Sequence, residues 1–256
     1  MSLKLGAHQP NHWPYLGFID KMRMSDVFII YDTAQFVRKD FHQRNRIRVD
    51  NPDGFRWFTV PVEKKVAPIR DIVINNDHIQ YERTWYDVHK CLFMENYKTA
   101  KYYDDHIDFL DKLYGKRWDW LIDMNLAIID YLRDVFDIRT RVLLSSEMDC
   151  FKYKDYSEVS VGELENADPH YVKNYIATLK IIDMCHEVDA DTFISGVSGR
   201  DYLVTGLFGR EGIKLEYQSF EHPVYRQCFS PFVPNLSALD YIMNVDVSSS
   251  SSSKSR

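Results

Sequence analysis

The apolar run from Leu3 to Ala7 stops at His8-Gln-Pro-Asn-His-Trp-Pro14, where two prolines deny the backbone both a ladder and a helix. Leu16, Ile19, Met22 and Met24 follow at helical spacing, and Val27-Phe-Ile-Ile-Tyr31 is a β-branched strand. A strand, a tight polar loop, a helix and a second strand in succession make a β-loop-α-β unit, which sets its two strands parallel. The pattern returns toward the other end. Arg139 to Leu144 reads as a strand, Pro169 to His186 carries Val172, Ile176, Leu179 and Ile182 in helical register, Thr192 to Ser195 is a strand running into Gly196, and Ile213 to Tyr217 closes the series. This alternation predicts an α/β fold, a three-layer, mostly parallel Rossmann-like sheet.

The middle of the chain departs from that alternation. Residues 32–54 are polar, and Phe55 to Val62 and Ile69 to Ile74 resume strand patterns on either side of Glu63-Lys-Lys65, which predicts an antiparallel insertion over 32–75. From Glu82 to Phe136 the spacing is helical; Trp118, Leu121, Ile122, Leu126, Ile129, Leu132 and Val135 share a face, so two or three helices are expected over 82–136. We read 1–247 as a single α/β domain with these two insertions, and Ser248 onward as a disordered, low-complexity tail with nothing to bury.

Composition narrows the function classes. The 256 residues are 45% hydrophobic and 27% charged, enough for a full core, and 32 Lys and Arg against 38 Asp and Glu leave no global positive field for DNA or an anionic bilayer. No run approaches the ~20 apolar residues of a membrane span, and no secretory signal is visible, so a cytoplasmic protein is expected. Cys91, Cys150, Cys185 and Cys228 form no Cys-x-x-Cys pair, the histidines have no metal-triad spacing, and His78, His89, His106 and His170 read as surface residues. Both the P-loop and the Gly-x-Gly-x-x-Gly fingerprint are absent.

Ligands of open α/β sheets bind beyond the carboxyl ends of the strands, and three such loops are rich in polar groups. The first carries His8, Gln9, Asn11 and His12 just before a helix N-terminus, where a phosphate or carboxylate is favoured. The second begins at Asp32 and Gln35 and runs through Arg44, Asn45 and Arg46; between Arg38 and Arg56 six basic residues face three Asp, and the planar guanidinium matches phosphate or carboxylate. The third is Ser195-Gly-Val-Ser-Gly-Arg-Asp-Tyr202, with Ser195, Ser198 and Arg200 as donors and a helix expected to open at Arg200. His222-Pro-Val-Tyr-Arg-Gln227 adds His222 and Tyr225 from the C-terminal segment.

Those residues also carry a resemblance. His8-Gln-Pro-Asn-His-Trp-Pro-Tyr-Leu-Gly-Phe-Ile-Asp-Lys21, Gln43-Arg-Asn-Arg-Ile47, Thr59-Val-Pro-Val62, Ser145-Ser-Glu-Met148, Ala190 to Leu203 and His222 to Asp240 together resemble the WbqC-like proteins over nearly the whole chain. Two positions depart from the family pattern: His12 stands where Tyr is expected, and Asn244-Val-Asp246 passes into a serine tract. The resemblance implies a place beside bacterial O-antigen and surface-polysaccharide genes, and transfer of glycine or another aminoacyl group to an amino sugar. A weaker similarity, at the level of fold, is to the His-x-Gly-His nucleotidyl-transfer enzymes, pantothenate synthetase among them, which implies activation of a carboxylate by ATP; the second His-Gly pair is missing here.

The expected activity is therefore an amide-forming acyl or aminoacyl transferase acting on a nucleotide-linked amino sugar. In it His8, Gln9 and Asn11 hold the activated group, Asp32 accepts a proton from the attacking amine with His222 in reserve, and Arg44, Asn45, Arg46 and Arg200 bind the diphosphate. Gln35, Ser195, Ser198 and Tyr225 complete the expected substrate contacts. ATP with Mg and a preformed acyl donor both remain open as the source of the acyl group, with aminoacyl-tRNA a further donor engaging residues 38–56. The rival expectation is a non-catalytic nucleotide-sugar-binding or scaffold protein in polysaccharide assembly.

Overall fold

In the computed structural model, which describes residues 2–63, 66–156, 164 and 167–247, strand and helix alternate as the apolar pattern requires. In chain order the elements are β1 (Lys4–His8), α1 (Leu16–Met24), β2 (Val27–Ile30), β3 (Arg44–Arg48), β4 (Phe55–Thr59), β5 (Ile79–Gln80), β6 (Arg83–Thr84), α2 (Trp85–Tyr97), α3 (Tyr103–Tyr114) and α4 (Leu121–Val135). Then follow β7 (Arg141–Leu144), α5 (Asp149–Lys152), α6 (Pro169–Glu187), β8 (Thr192–Ser195), α7 (Thr205–Arg210), β9 (Lys214–Tyr217) and α8 (Ala238–Asn244). The tail expected from Ser248 lies outside the described residues.

The chain gathers into two compact units. The first comprises Met1–His8, Asp20–Thr33 and Arg139–Phe220. Its sheet has the order β7-β2-β1-β8-β9 with every neighbouring pair parallel. All four residues of β2 are buried, as a strand covered on both faces demands. The step from β1 to β2 runs one way along the sheet and that from β8 to β9 the other; right-handed crossovers therefore place α1 on one face and α7 on the opposite one, with α6 packed beside α7. Leu5, Ile29, Phe193, Ile181, Ile182, Cys185, Leu207 and Phe208 form the core on the α6–α7 side, each such side chain contributing about 1.5–3 kcal/mol by burial. Asp168 caps α6 by accepting from the amides of His170 and Tyr171, with Pro169 at its first turn.

Across the sheet, Ser25, the residue that follows α1, lies hard against β1. A Cβ built on Gly6 would meet Ser25 Oγ at 2.2 Å and the Phe28 ring at 3.0 Å, and that Oγ donates to the Lys21 carbonyl at 2.8 Å. Gly6→Ala is expected to lower stability by about 1–3 kcal/mol through overpacking. Urea unfolding reads this as a fall in midpoint at constant m value; an unchanged midpoint would mean that Ser25 can swing away freely.

The second unit comprises Gln9–Ile19, Ala34–Ile138 and Glu221–Arg256. Two expectations change here. The main antiparallel partner of β4 is β3, paired from Arg44↔Thr59 to Arg48↔Phe55, while in the 69–74 stretch Ile69–Asp71 is a single 3₁₀ turn and only Ile74 meets the Phe55–Val62 stretch, in an antiparallel bridge to Val62. His89 is 3% exposed instead of lying on the surface, because its place on α2 turns it into an aromatic core with Phe58, Trp85, Phe93 and Tyr114. His106 is half-buried between Tyr131 and the Ile242 carbonyl. The short pair β5–β6 precedes α2, whose Thr84 cap accepts from the Asp87 amide.

Buried polar groups of the second unit are satisfied in chains. Trp13 Nε1 donates to Tyr114 Oη at 3.0 Å, the Tyr114 hydroxyl meets His12 Nε2 at 3.4 Å, and His12 Nδ1 pairs with Asn125 Oδ1 at 3.0 Å. Asn125 Nδ2 then donates to the His42 carbonyl at 2.8 Å. Elsewhere Arg48, 1% exposed, donates to the carbonyls of Val49, Gly54 and Pro231. Asp240 accepts from Tyr97 Oη at 2.7 Å, Tyr225 Oη at 2.6 Å and Gln227 Nε2 at 2.8 Å.

Candidate functional site

Within the first unit, the parallel sheet delivers chemistry-bearing residues to its carboxyl edge. His8 ends β1, Asp32 lies two residues past β2, Ser145 follows β7, Ser195 ends β8 and Gln218 follows β9. The ladders there are unequal. Pairing of β1 with β2 continues through His8↔Ile30, whereas pairing of β1 with β8 stops at Gly6↔Ile194. The sheet thus parts between β1 and β8 at the point where strand order reverses direction, the place where doubly wound sheets hold their ligands.

Asp32, 1% exposed, has its lone pairs engaged. Its Oδ1 accepts from Ser145 Oγ at 2.8 Å and the Ser146 amide at 2.9 Å, and its Oδ2 accepts from Ser146 Oγ at 2.6 Å. The Thr33 amide donates to Ser145 Oγ at 3.1 Å, so the carboxylate is a strut binding the ends of β2 and β7 together. Ser145 and Ser146 were not singled out as site residues from sequence, although their position just past a β-strand is the signal that would have found them.

The third loop differs from expectation at its helix. Residues Val197–Asp201 form a 3₁₀ turn, with Gly199 N donating to the Gly196 carbonyl, and the α-helix opens at Thr205 instead of Arg200. The turn is tight because Gly199 lies over Ser195, whose Oγ would stand 2.0 Å from an added Cβ. Ser195 Oγ donates to the Gly196 carbonyl at 3.0 Å, Ser198 is exposed, and the Arg200 guanidinium lies 4.9 Å over the Tyr217 ring.

The other expected residues belong to the second unit, and several turn inward. Asn11 is 6% exposed, Gln9 Oε1 pairs with His42 Nε2 at 2.8 Å, and Gln35 Nε2 donates to the Ala67 carbonyl at 2.9 Å. Asn45 Nδ2 donates to the carbonyls of His12 at 3.2 Å and Trp13 at 2.6 Å. Tyr225 is tied through its hydroxyl to Asp240, and His222, half-buried against Tyr225 and Phe232, has its pKa lowered by burial. Arg44 and Arg46 differ from these. The first stacks 4.0 Å over Trp57 and the second 4.9 Å over Phe55, and their Nε groups have no acceptor among the described residues. Arg46 Nη2 also donates to the Asn235 carbonyl at 2.9 Å, so this stacked guanidinium is partly engaged within the fold.

Two cavities of about 270 and 330 Å³ lie among residues of the second unit, lined in part by Tyr81, Cys91 and Leu92 and by Phe93, Met94 and Leu110. Of the basic segment 38–56 only Arg56 lines one of them, the smaller. Among the described residues no group of three His, Cys, Asp or Glu could hold a metal ion, and no helix is long and apolar enough to cross a membrane.

The profile of the WbqC-like protein family matches residues 9–252 of the chain. An uncharacterized protein of Mycobacterium tuberculosis is 26% identical over 247 residues, spanning 94% of each chain. No solved structure matches.

Proposed function

The chain belongs to the WbqC-like protein family, and from that footing we propose a transferase that attaches glycine or a related acyl group to the amine of a nucleotide-linked amino sugar for a bacterial surface polysaccharide. One observation carries the reading: His8, Asp32 and Ser195 stand at the carboxyl edge of one parallel sheet, with His8 and Ser195 on the two strands that part, β1 and β8. In the reaction the sugar amine attacks the acyl carbon, the C–N bond forms as the bond to the leaving group breaks, and the nitrogen loses a proton. His8 takes that proton and returns it to the leaving group, since Asp32 is occupied as a strut. Arg200 balances negative charge on the ligand, and Arg44 with Arg46 is a separate anion-binding pair in the second unit.

The test incubates the protein with nucleotide-linked amino sugars and either glycine plus ATP and Mg or acyl-CoA compounds, and looks for the amide by mass spectrometry. His8→Ala is expected to lower kcat by about 10²–10⁴-fold while substrate affinity stays within a few-fold. Binding of the sugar nucleotide without amide formation would replace this reading with a non-catalytic binding or scaffold protein.

A further inference from the structure

Lys21 is an ammonium group where an apolar side chain would be expected. It lies on α1 among the buried Phe18, Ile19 and Met22 and is itself 6% exposed. Its Nζ donates to the Ala7 carbonyl at 2.8 Å. No carboxylate of the described residues pairs with it, and its remaining N–H groups have no acceptor among them. The nearest acid in sequence, Asp20, accepts from Gln218 Nε2 at 2.6 Å. An unpaired buried cation costs several kcal/mol, and a Met or Leu would fill the same place without that cost.

The position of the Ala7 carbonyl shows where this charge points. Along β1, Lys4 O and His8 O accept from Asp26 N and Tyr31 N on the β2 side, whereas Leu3 O accepts from Thr192 N on the β8 side. Carbonyls alternate along a strand, so Ala7 O faces β8. It lies one residue beyond the last pair, Gly6↔Ile194, where β8 no longer supplies a donor. Lys21 therefore reaches into the gap where β1 and β8 part. Burial holds its pKa down to about 8, leaving it cationic at neutral pH.

We propose that Lys21 is the anion-receiving group of the crevice between β1 and β8, its free N–H donors taking the oxygens of a phosphate group on the ligand. The inference rests on the carboxyl edge of this sheet being the ligand site, and it adds the class of ligand group and the residue that binds it. An incoming phosphate would supply the counter-charge that the fold withholds, and the low local polarity strengthens that bond relative to one in water.

Titration calorimetry with inorganic pyrophosphate and with ADP tests it on the wild type, Lys21→Gln and Lys21→Arg. Lys21→Gln removes the charge and carries its donor on a side chain one bond shorter, so the melting temperature is expected to hold or rise while pyrophosphate affinity falls about tenfold or more. Lys21→Arg is expected to stay within a few-fold of the parent. Equal affinity in Lys21→Gln and the wild type overturns the role of Lys21 and leaves amide formation by the His8 site standing. Failure of the wild type to bind either probe at millimolar concentration also overturns it. The opposite pattern, pyrophosphate binding lost with Lys21→Gln but no amide from any donor, keeps the anion site and removes the transferase. Should Lys21→Gln not fold, Lys21→Met is measured in its place with the same expectation.

Discussion

Asp240→Ala is expected to destabilise the protein by about 3–5 kcal/mol, enough to abolish folding near physiological temperature in a marginally stable chain. Asp240 is fully buried, and three donors, from Tyr97, Tyr225 and Gln227, converge on its carboxylate. Removing it strands those donors, and it removes the anion that faces the guanidinium of Arg48, which itself helps hold the Asp240 pKa down against the burial that raises it. Asp240→Asn keeps an acceptor and is expected to cost less than half as much. Chemical denaturation of the two variants at one pH provides the comparison, and a loss below about 1 kcal/mol in Asp240→Ala would show the network to be slack.

Acid is expected to unfold the protein well before its carboxylates titrate. Burial lowers His12 to about 4 and His89 to about 3, from an ordinary 6.5. Below 6.5 the unfolded chain therefore binds protons that the folded chain refuses, and stability falls as pH drops toward the folded values. Between neutral pH and about pH 5 each ring contributes a loss on the order of 2 kcal/mol. His42, His106 and His222, all lowered by burial, act in the same direction, while the raised Asp240 acts in the opposite one. His89→Phe retains an aromatic ring and removes one titrating group, so the fall in stability over that window is expected to shrink by on the order of 2 kcal/mol. An identical pH dependence in parent and variant would assign the proton uptake to other groups.

The parallel sheet was legible because its strands are buried on both faces and read as unbroken apolar runs; Val27-Phe-Ile-Ile30 admits little else. Strand β3 was not, since Arg44-Asn-Arg-Ile-Arg48 carries the composition of a solvated loop. It becomes a strand by stacking Arg44 and Arg46 on Trp57 and Phe55 and by giving Arg48 three carbonyl acceptors, partners that only tertiary structure supplies. His12 reads as part of an anion-binding loop and is instead buried against Asn125, since a polar residue in the core looks accessible until its partner is known. Lys21 was within reach of pattern reading. It follows Phe18 by three positions, and that spacing puts the two on one side of α1.

The pairing of Lys4 with Thr192 joins segments about 190 residues apart in the chain, and that of Val27 with Arg141 joins segments more than a hundred apart. Strand β1, at the centre of the sheet, leaves the ribosome before the sheet's other strands and must wait for most of the residues that follow before its second neighbour exists. Contacts of such high sequence separation make folding slow, and they leave an apolar strand edge open during synthesis. Refolding slower than in helical proteins of this size, and protection of nascent chains by chaperones until β8 has emerged, are the kinetic consequences of that strand order.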